Sequence, residues 1–232
     1  MKLARPDVFH PRIVLAGCPR QVSGDGDDAG LVAALRRRGL HARWLSWDDP
    51  DTLTADLVIL RATRDYPDRL DEFLAWTTRV SHLLNAPDVV AWNADKGYLR
   101  DVARQGVPTT RQGEDAETTA LVFVGGQSSH AFTRTGAAEP DFEIWDVGFA
   151  ALDAAAAQLD TTPSGFLYAR CDVVGGIDDP RLLTMNLVDP TLGWVHLDEH
   201  TRDLKQRDFV RAVSSALDGL GLGPFSHRRP QR

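Results

Sequence analysis

The sequence predicts an α/β fold in two parts: a doubly wound N-terminal part on a parallel sheet, and a smaller α+β part after it. Three observations predict it. Between Arg12 and Gly106, short apolar runs alternate with stretches of helical spacing, as strand–helix–strand units require. One run, Asp56 to Leu60, is continuously apolar and suits a strand buried on both faces. After Pro108 the texture changes to paired runs separated by Gly-rich turns, then an alanine-rich helix and a closing amphipathic helix.

Each element has its own warrant. Arg12 to Ala16 is a short apolar run ending at Gly17 and a Gly/Asp-rich loop, and Asp28 to Arg38 then carries helical spacing at Leu31, Ala34 and Leu35. Ala42 to Trp47 alternates like a strand and stops at Asp48-Asp49-Pro50. Asp68 to Leu84, with Leu70, Phe73, Leu74, Thr77, Val80 and Leu84 in register, is expected as one long helix. Val89 to Trp92 is expected as the next strand, and Ala94 to Gln105 as a helix closed by Gly106. Thr109 to Thr119 is polar and weakly patterned, as a linker would be. Leu121 to Val124 and His130 to Arg134 flank Gly125-Gly126 as a hairpin, and Ile144 to Leu159 is the alanine-rich helix. Phe166 to Val174 and Leu182 to Val188 are two more strands; Arg202 to Leu217 is the last helix, and Ser226 to Arg232 is expected to fray. The boundaries follow as 1–108, 109–225 and a tail at 226–232.

Composition narrows the function. Of 232 residues 43% are hydrophobic, enough for a sizeable core, and the formal charge of -7 argues against a nucleic-acid or acidic-membrane surface. Arg36, Arg37 and Arg38 end a helix, where positive charge complements the helix dipole. Only Cys18 and Cys171 are present, so no disulfide framework is implied, and a cytoplasmic location is expected, with no apolar run of membrane-spanning length. The 26 basic residues include three lysines, Lys2, Lys96 and Lys205, which leaves few candidates wherever an ammonium is needed.

Several motifs carry a plain reading beside a sharp one. Gly24-Asp25-Gly26 with Gly30 lacks the spacing of a dinucleotide fingerprint, and Asp25, Asp27 and Asp28 would repel a pyrophosphate, so a flexible loop is expected. His196-Leu197-Asp198-Glu199-His200 matches a zinc pattern that demands helical spacing, while Gly193-Trp194-Val195 before it reads as strand or turn. His130 follows two serines without a nucleophile elbow and reads as a hairpin histidine. Asp95-Lys96 reads as a helix cap, and Trp44, Trp47, Trp76 and Trp92 as core or contact aromatics. Arg61, Asp65 and Tyr66 follow a parallel strand at its C-terminal end, where open α/β sheets bind ligands, and there substrate contact and an internal Arg/Asp pair stand as equal alternatives.

Five segments stand in order along the chain: Arg61 to Pro67, Trp92 to Leu99 leading to Gly106-Val107-Pro108, Phe123 to His130, Tyr168 to Val173, and Met185 to Leu192. This ordered set resembles the glutathione synthetase-like carboxylate–amine ligase branch of the ATP-grasp superfamily. The resemblance implies a Rossmann-like pre-ATP-grasp domain with a parallel sheet, followed by a truncated ATP-grasp-like α+β domain lacking the lid. It implies ATP and Mg2+ as cofactors, Arg170 as a nucleotide contact, Asp172 and Asn186 as metal ligands, and Arg61, Thr63, Asp65, Tyr66 and Thr191 as substrate contacts.

Departures from the pattern imply a shortened, degenerate relative. Thr184 stands where the family has a metal-site glutamate, Arg64 where it has a tryptophan, and no lysine lies between Pro108 and Leu121, where the family's two phosphate lysines belong. A neutral hydroxyl does far less for a hard divalent cation than a bidentate carboxylate. The expected function is a catalytically impaired module that binds a small molecule or a protein. The alternatives are an ATP- and Mg-dependent carboxylate–amine ligase with a reduced lid, and a structural subunit of a larger ligase complex. Asp172 and Asn186 are expected on neighbouring strands with side chains on one face. Both late helices are expected on one face of the second sheet, with a homodimer or hetero-partner covering the rest.

Overall fold

Two sheets organise the protein, and a computed structural model describes residues 10–110 and 117–223. The first sheet is parallel, in the order β2 (His41–Ser46), β1 (Arg12–Gly17), β3 (Leu57–Ala62), β4 (Leu83–Leu84). Every residue of β3 is buried: Leu57 to Leu60 as their apolar run requires, and Arg61 with them. The second sheet pairs its strands antiparallel, in the order β7 (Gly136–Ala138), β6 (Gln127–Thr133), β5 (Thr119–Val124), β8 (Tyr168–Val174), β9 (Arg181–Asn186).

The helices sort onto faces by strand alternation. α1 (Leu31–Arg37) buries Leu31, Ala34 and Leu35, and α6 (Glu199–Gly219) buries Phe209, Val210, Val213 and Leu217 in the same core, with Ile13 and Leu15 of the first sheet and Ala120, Val122 and Tyr168 of the second. One core therefore joins the two halves. α2 (Leu70–Thr77) covers the other face of the parallel sheet, where Phe73, Trp76 and Trp47 form an aromatic cluster. α5 (Phe142–Gln158) covers the far face of the second sheet against Leu121, Phe123, Cys171 and Met185. Each fully buried ring such as Phe209 or Phe123 contributes roughly 2–3 kcal/mol by leaving water.

Several expectations are corrected. Val89 to Trp92 is helix, not strand: α3 (Pro87–Ala94) starts with Pro87 in its first turn, where the missing N–H costs nothing. The adjacent Val89 and Val90 looked like a buried strand because the helix lies between two cores and offers one valine to each. The helix expected from Asp68 to Leu84 stops at Thr77, where the Thr77 and Thr78 hydroxyls donate back to Leu74 and Ala75 carbonyls, and Leu83-Leu84 is the fourth strand. The helix expected from Ala94 is shorter, α4 (Tyr98–Arg104), with Gly106 beyond its end at φ 93°. The start of the expected linker is tied down: Leu182 N–H donates to Pro108 O and Thr110 N–H to Leu182 O. The late helices do not share a face. α6 covers the side of the second sheet that a partner was expected to cover, so among the described residues neither face is bare. The tail at 226–232 lies outside the described residues.

Asp27 locks the halves together. Its carboxylate accepts N–H bonds from Leu192, Gly193 and Val195, and its neighbour Asp28 pairs with Arg61 at 2.9 Å, so the Gly/Asp loop is anchored rather than free. Gly193 sits at φ 69°, where a Cβ would meet the Phe132 ring at 2.2 Å, so only glycine presents its N–H to Asp27 here. Asn85 adds a second tie: its amide donates to Tyr168 O and Leu187 O, and its oxygen accepts Leu167 N–H.

Candidate functional site

The register of β8 and β9 builds the centre of the site. Arg170 lies opposite Asn186 and Asp172 opposite Thr184, so four polar side chains share one face as a two-by-two block. They flank a cleft of about 610 Å3 whose other walls are Tyr66, Pro67 and Leu70 of the first half and Asn93, Ala94, Lys96 and Tyr98 around the α3–α4 junction. That volume suits a small-molecule ligand. A larger groove, about 860 Å3, lies on the outside of β2 between Ser23–Gly30, α1 and Trp44. The smaller cleft is the stronger candidate, because polar groups from both halves converge on it.

Within the block, most oxygen donors are already used. Asp172 Oδ1 accepts Arg170 Nε–H at 2.7 Å and its Oδ2 accepts the Thr184 hydroxyl at 2.8 Å. Asn186 Oδ1 accepts the N–H groups of Val188 at 2.9 Å and Asp189 at 3.1 Å. Arg170 lies over the Phe132 ring at 5.1 Å, and its terminal nitrogens make no hydrogen bond among the described residues. Tyr98 Oη accepts Met185 N–H at 3.0 Å, and the Asn93 side chain bridges Met185 O and Leu187 N–H like a strand edge. Burial and the neighbouring Asp189 push the Tyr66 hydroxyl up to about 12, so it stays a protonated donor. Lys96 is exposed at the cleft wall and makes no ion pair among the described residues.

Two expected contacts thus line the cleft together with the expected metal ligands: Tyr66, and Arg170. The other four stand elsewhere. Arg61 is fully buried, pairs with Asp28 rather than with Asp65, and lies over the Tyr168 and Trp194 rings at 5.2 and 5.8 Å. Arg61 thus makes an internal ion pair, with Asp28 as its acid. Thr63 is buried and donates to Asp189 at 3.4 Å; Asp65 accepts from Trp47 Nε1 at 3.0 Å; Thr191 Oγ1 accepts from Arg64 at 3.4 Å. Lys96 is the cationic cleft residue that was not singled out as a ligand contact in the sequence. Its position one residue after Asp95, which accepts Gly97 N–H at 2.7 Å, read as a cap, and its scarcity as a lysine was the signal available.

His196 stacks on Phe132 at 4.9 Å and His200 lies in the first turn of α6, and among the described residues no group of three His, Cys, Asp or Glu side chains is placed to hold a metal. His130 Nε2 meets Leu192 O at 2.7 Å, and since a carbonyl only accepts, that nitrogen carries the proton; burial holds the ring down at about 4, hence neutral.

The residues present do not fit a divalent cation. Such an ion wants about six oxygen donors, but here the Asn186 oxygen is filled by two backbone N–H groups, Asp172 is filled by a guanidinium and a hydroxyl, and Thr184 supplies no charge.

Comparison with known proteins places this geometry in a fold. Residues 13–85 match the family model described as D-cycloserine synthetase DcsG, N-terminal domain. Over 89 residues the chain is 37% identical to the cycloserine biosynthesis protein DcsG of Streptomyces lavendulae, a stretch that is 36% of this chain and 30% of that protein. The crystal structure of D-cycloserine synthetase DcsG superposes with a TM-score of 0.74 at 22% identity, over 89% of this chain and 99% of that one. The D-alanine–D-alanine ligase of Bacillus anthracis complexed with ATP gives 0.63 at 12% identity, over 91% and 98%. The ATP-grasp ligase PsnB, solved with a precursor peptide and AMPPNP, gives 0.56 at 13% identity, over 91% and 100%. The chain has the ATP-grasp fold, and no helix of its described residues is long and apolar enough to cross a membrane.

Proposed function

We propose that the protein is a ligand-binding module derived from a carboxylate–amine ligase, taking a small carboxylate-bearing molecule into the cleft between its halves without ATP turnover. One observation carries the reading. The cleft keeps two cationic side chains, Lys96 and Arg170, while the oxygens that should hold a metal ion are engaged within the protein. Without the ion, and with no lysine between Pro108 and Leu121, the negative charges of a triphosphate lack the close opposite charge they need.

A working ligase is the second reading, favoured by the match of residues 13–85 to the N-terminal domain of a synthetase. Calorimetry separates the two. With ATP and MgCl2 the protein should show no binding tighter than about 1 mM, a free energy near 4 kcal/mol. Micromolar affinity for the nucleotide would overturn the binding-module reading and favour the ligase.

A further inference from the structure

We infer that the groove outside β2 is a second ligand site, and that it takes a free peptide of about three residues, extended and antiparallel to the strand. β2 ends the order of the parallel sheet, so one of its edges is unpaired. His41 N–H donates to Pro11 O and Trp47 N–H to Gly17 O, and alternation along the strand then turns the main-chain groups of Ala42, Trp44 and Ser46 to the open edge. That edge is closed at both ends. Ala42 O accepts Arg36 Nε–H at 2.9 Å and Ala42 N–H donates to Leu40 O, while Ser46 O accepts Asp49 N–H at 3.0 Å. Between them Trp44, which lines the groove, keeps an N–H and a C=O without a hydrogen-bond partner among the described residues. An edge this short cannot zip to a long strand, but it suits one opposed residue, which in an antiparallel pair exchanges both bonds with Trp44.

Charges at the two ends of the groove set the direction of the occupant. Arg36 and Arg37 stand at the end where β2 begins; the terminal nitrogens of Arg36 make no hydrogen bond among the described residues, and Arg37 is exposed, 3.7 Å from Asp203. Two guanidiniums there suit a terminal carboxylate. At the other end, the segment 23–30 carries Asp25, Asp27 and Asp28. Asp25 pairs with Arg64 and Asp28 with Arg61, which leaves the segment one negative charge and suits a terminal amine. α1 spans roughly 10 Å at 1.5 Å per residue, the length of about three extended residues, so the second residue of the peptide faces Trp44. Its side chain falls on the same face as the Trp44 ring, against Val32 and Ala33, where a small apolar group fits. An internal strand of a protein brings neither terminal charge, which is why the groove matches a free peptide.

Trialanine is the probe, titrated into the isotope-labelled full chain and read by NMR. Backbone signals of Val32, Ala33, Arg37 and Trp44 should shift together and saturate with a Kd of about 1 mM or below. Trialanine amide, which lacks the carboxylate, should bind about tenfold more weakly or worse. Arg37→Glu should weaken trialanine by a similar factor and leave the melting curve unchanged, since Arg37 is exposed. If circular dichroism shows that this variant does not fold, Ala33→Phe, which fills the groove from an exposed position of α1, takes its place and should abolish the saturation. No saturable shift at Trp44 up to about 10 mM, equal binding of the amide, or a folded variant that binds as the wild type does would each overturn the inference. Shifts confined to Lys96 and Tyr98 would overturn it too, since they would put the peptide in the cleft between the halves.

Discussion

Two polar clusters, one at the junction of the halves around Asp27 and Asp28 and one in the cleft around Asp172, share a residue type and differ in what surrounds it. At the junction, Asp27 is 4% exposed and satisfied by three backbone N–H groups, and Asp28 is matched by a guanidinium with no exposure. In the cleft, the Arg170–Asp172 pair is half-buried, with Lys96 beside it making no ion pair among the described residues and open volume in front. Closed pairing at the first cluster holds the fold; incomplete pairing at the second leaves donors for a ligand. An acidic residue in a glycine-rich loop is thus no sign of chemistry until its partners are known.

The largest effect should separate the clusters by stability. Asp27→Ala strands two buried N–H groups and a half-buried third, the buried ones costing roughly 1–3 kcal/mol each, and should lower unfolding free energy by about 3–5 kcal/mol. Asp172→Asn breaks a partly solvated pair and should cost no more than about 1 kcal/mol. Urea melts that reversed the order, or made it equal, would break the comparison.

A smaller effect sharpens it through pH. Burial raises the Asp189 carboxyl to about 6, against the pull of Arg61 and Arg64, while burial lowers His130 to about 4. Between pH 4 and 6 folded Asp189 holds more proton than the unfolded chain, so its contribution to stability falls as pH rises. His130 works the other way, since the unfolded chain holds more proton there, and its contribution rises up to about pH 6.5. Each amounts to something on the order of 1–3 kcal/mol, and in the wild type they offset. Relative to wild type, Asp189→Asn should gain stability as pH rises from 4 to 6, and His130→Gln should lose it over the same range. Two variants with the wild-type pH profile would show that neither group is perturbed.

The legible parts of the molecule were those with strong local patterns. β3 was visible because four consecutive apolar residues leave a strand little choice but burial, and α5 because alanine-rich helical spacing persists over four turns. The error at Val89–Trp92 came from tertiary position, since a helix between two cores shows no polar face to give it a period. The short β4 was hidden because two residues carry no alternation. In the site, the shared face of Asp172 and Asn186 followed from strand alternation, but their existing partners did not: Asn186 is filled by backbone three residues away, and Arg61 by an aspartate 33 residues earlier. Lys96 reaches the cleft only because the chain turns between α3 and α4.

The central claim, a cleft that takes a carboxylate on Lys96 and Arg170 with neither metal nor nucleotide, is tested most directly by NMR of the isotope-labelled full chain. Succinate added in excess EDTA should shift backbone signals of Lys96, Tyr98, Arg170 and Asn186 in a saturable way, and Lys96→Ala should abolish the saturation while leaving the melting curve within about 0.5 kcal/mol of wild type, as expected for an exposed side chain. Signals that stay still in EDTA and move only when Mg2+ and ATP are both present would contradict the account and identify a working ligase.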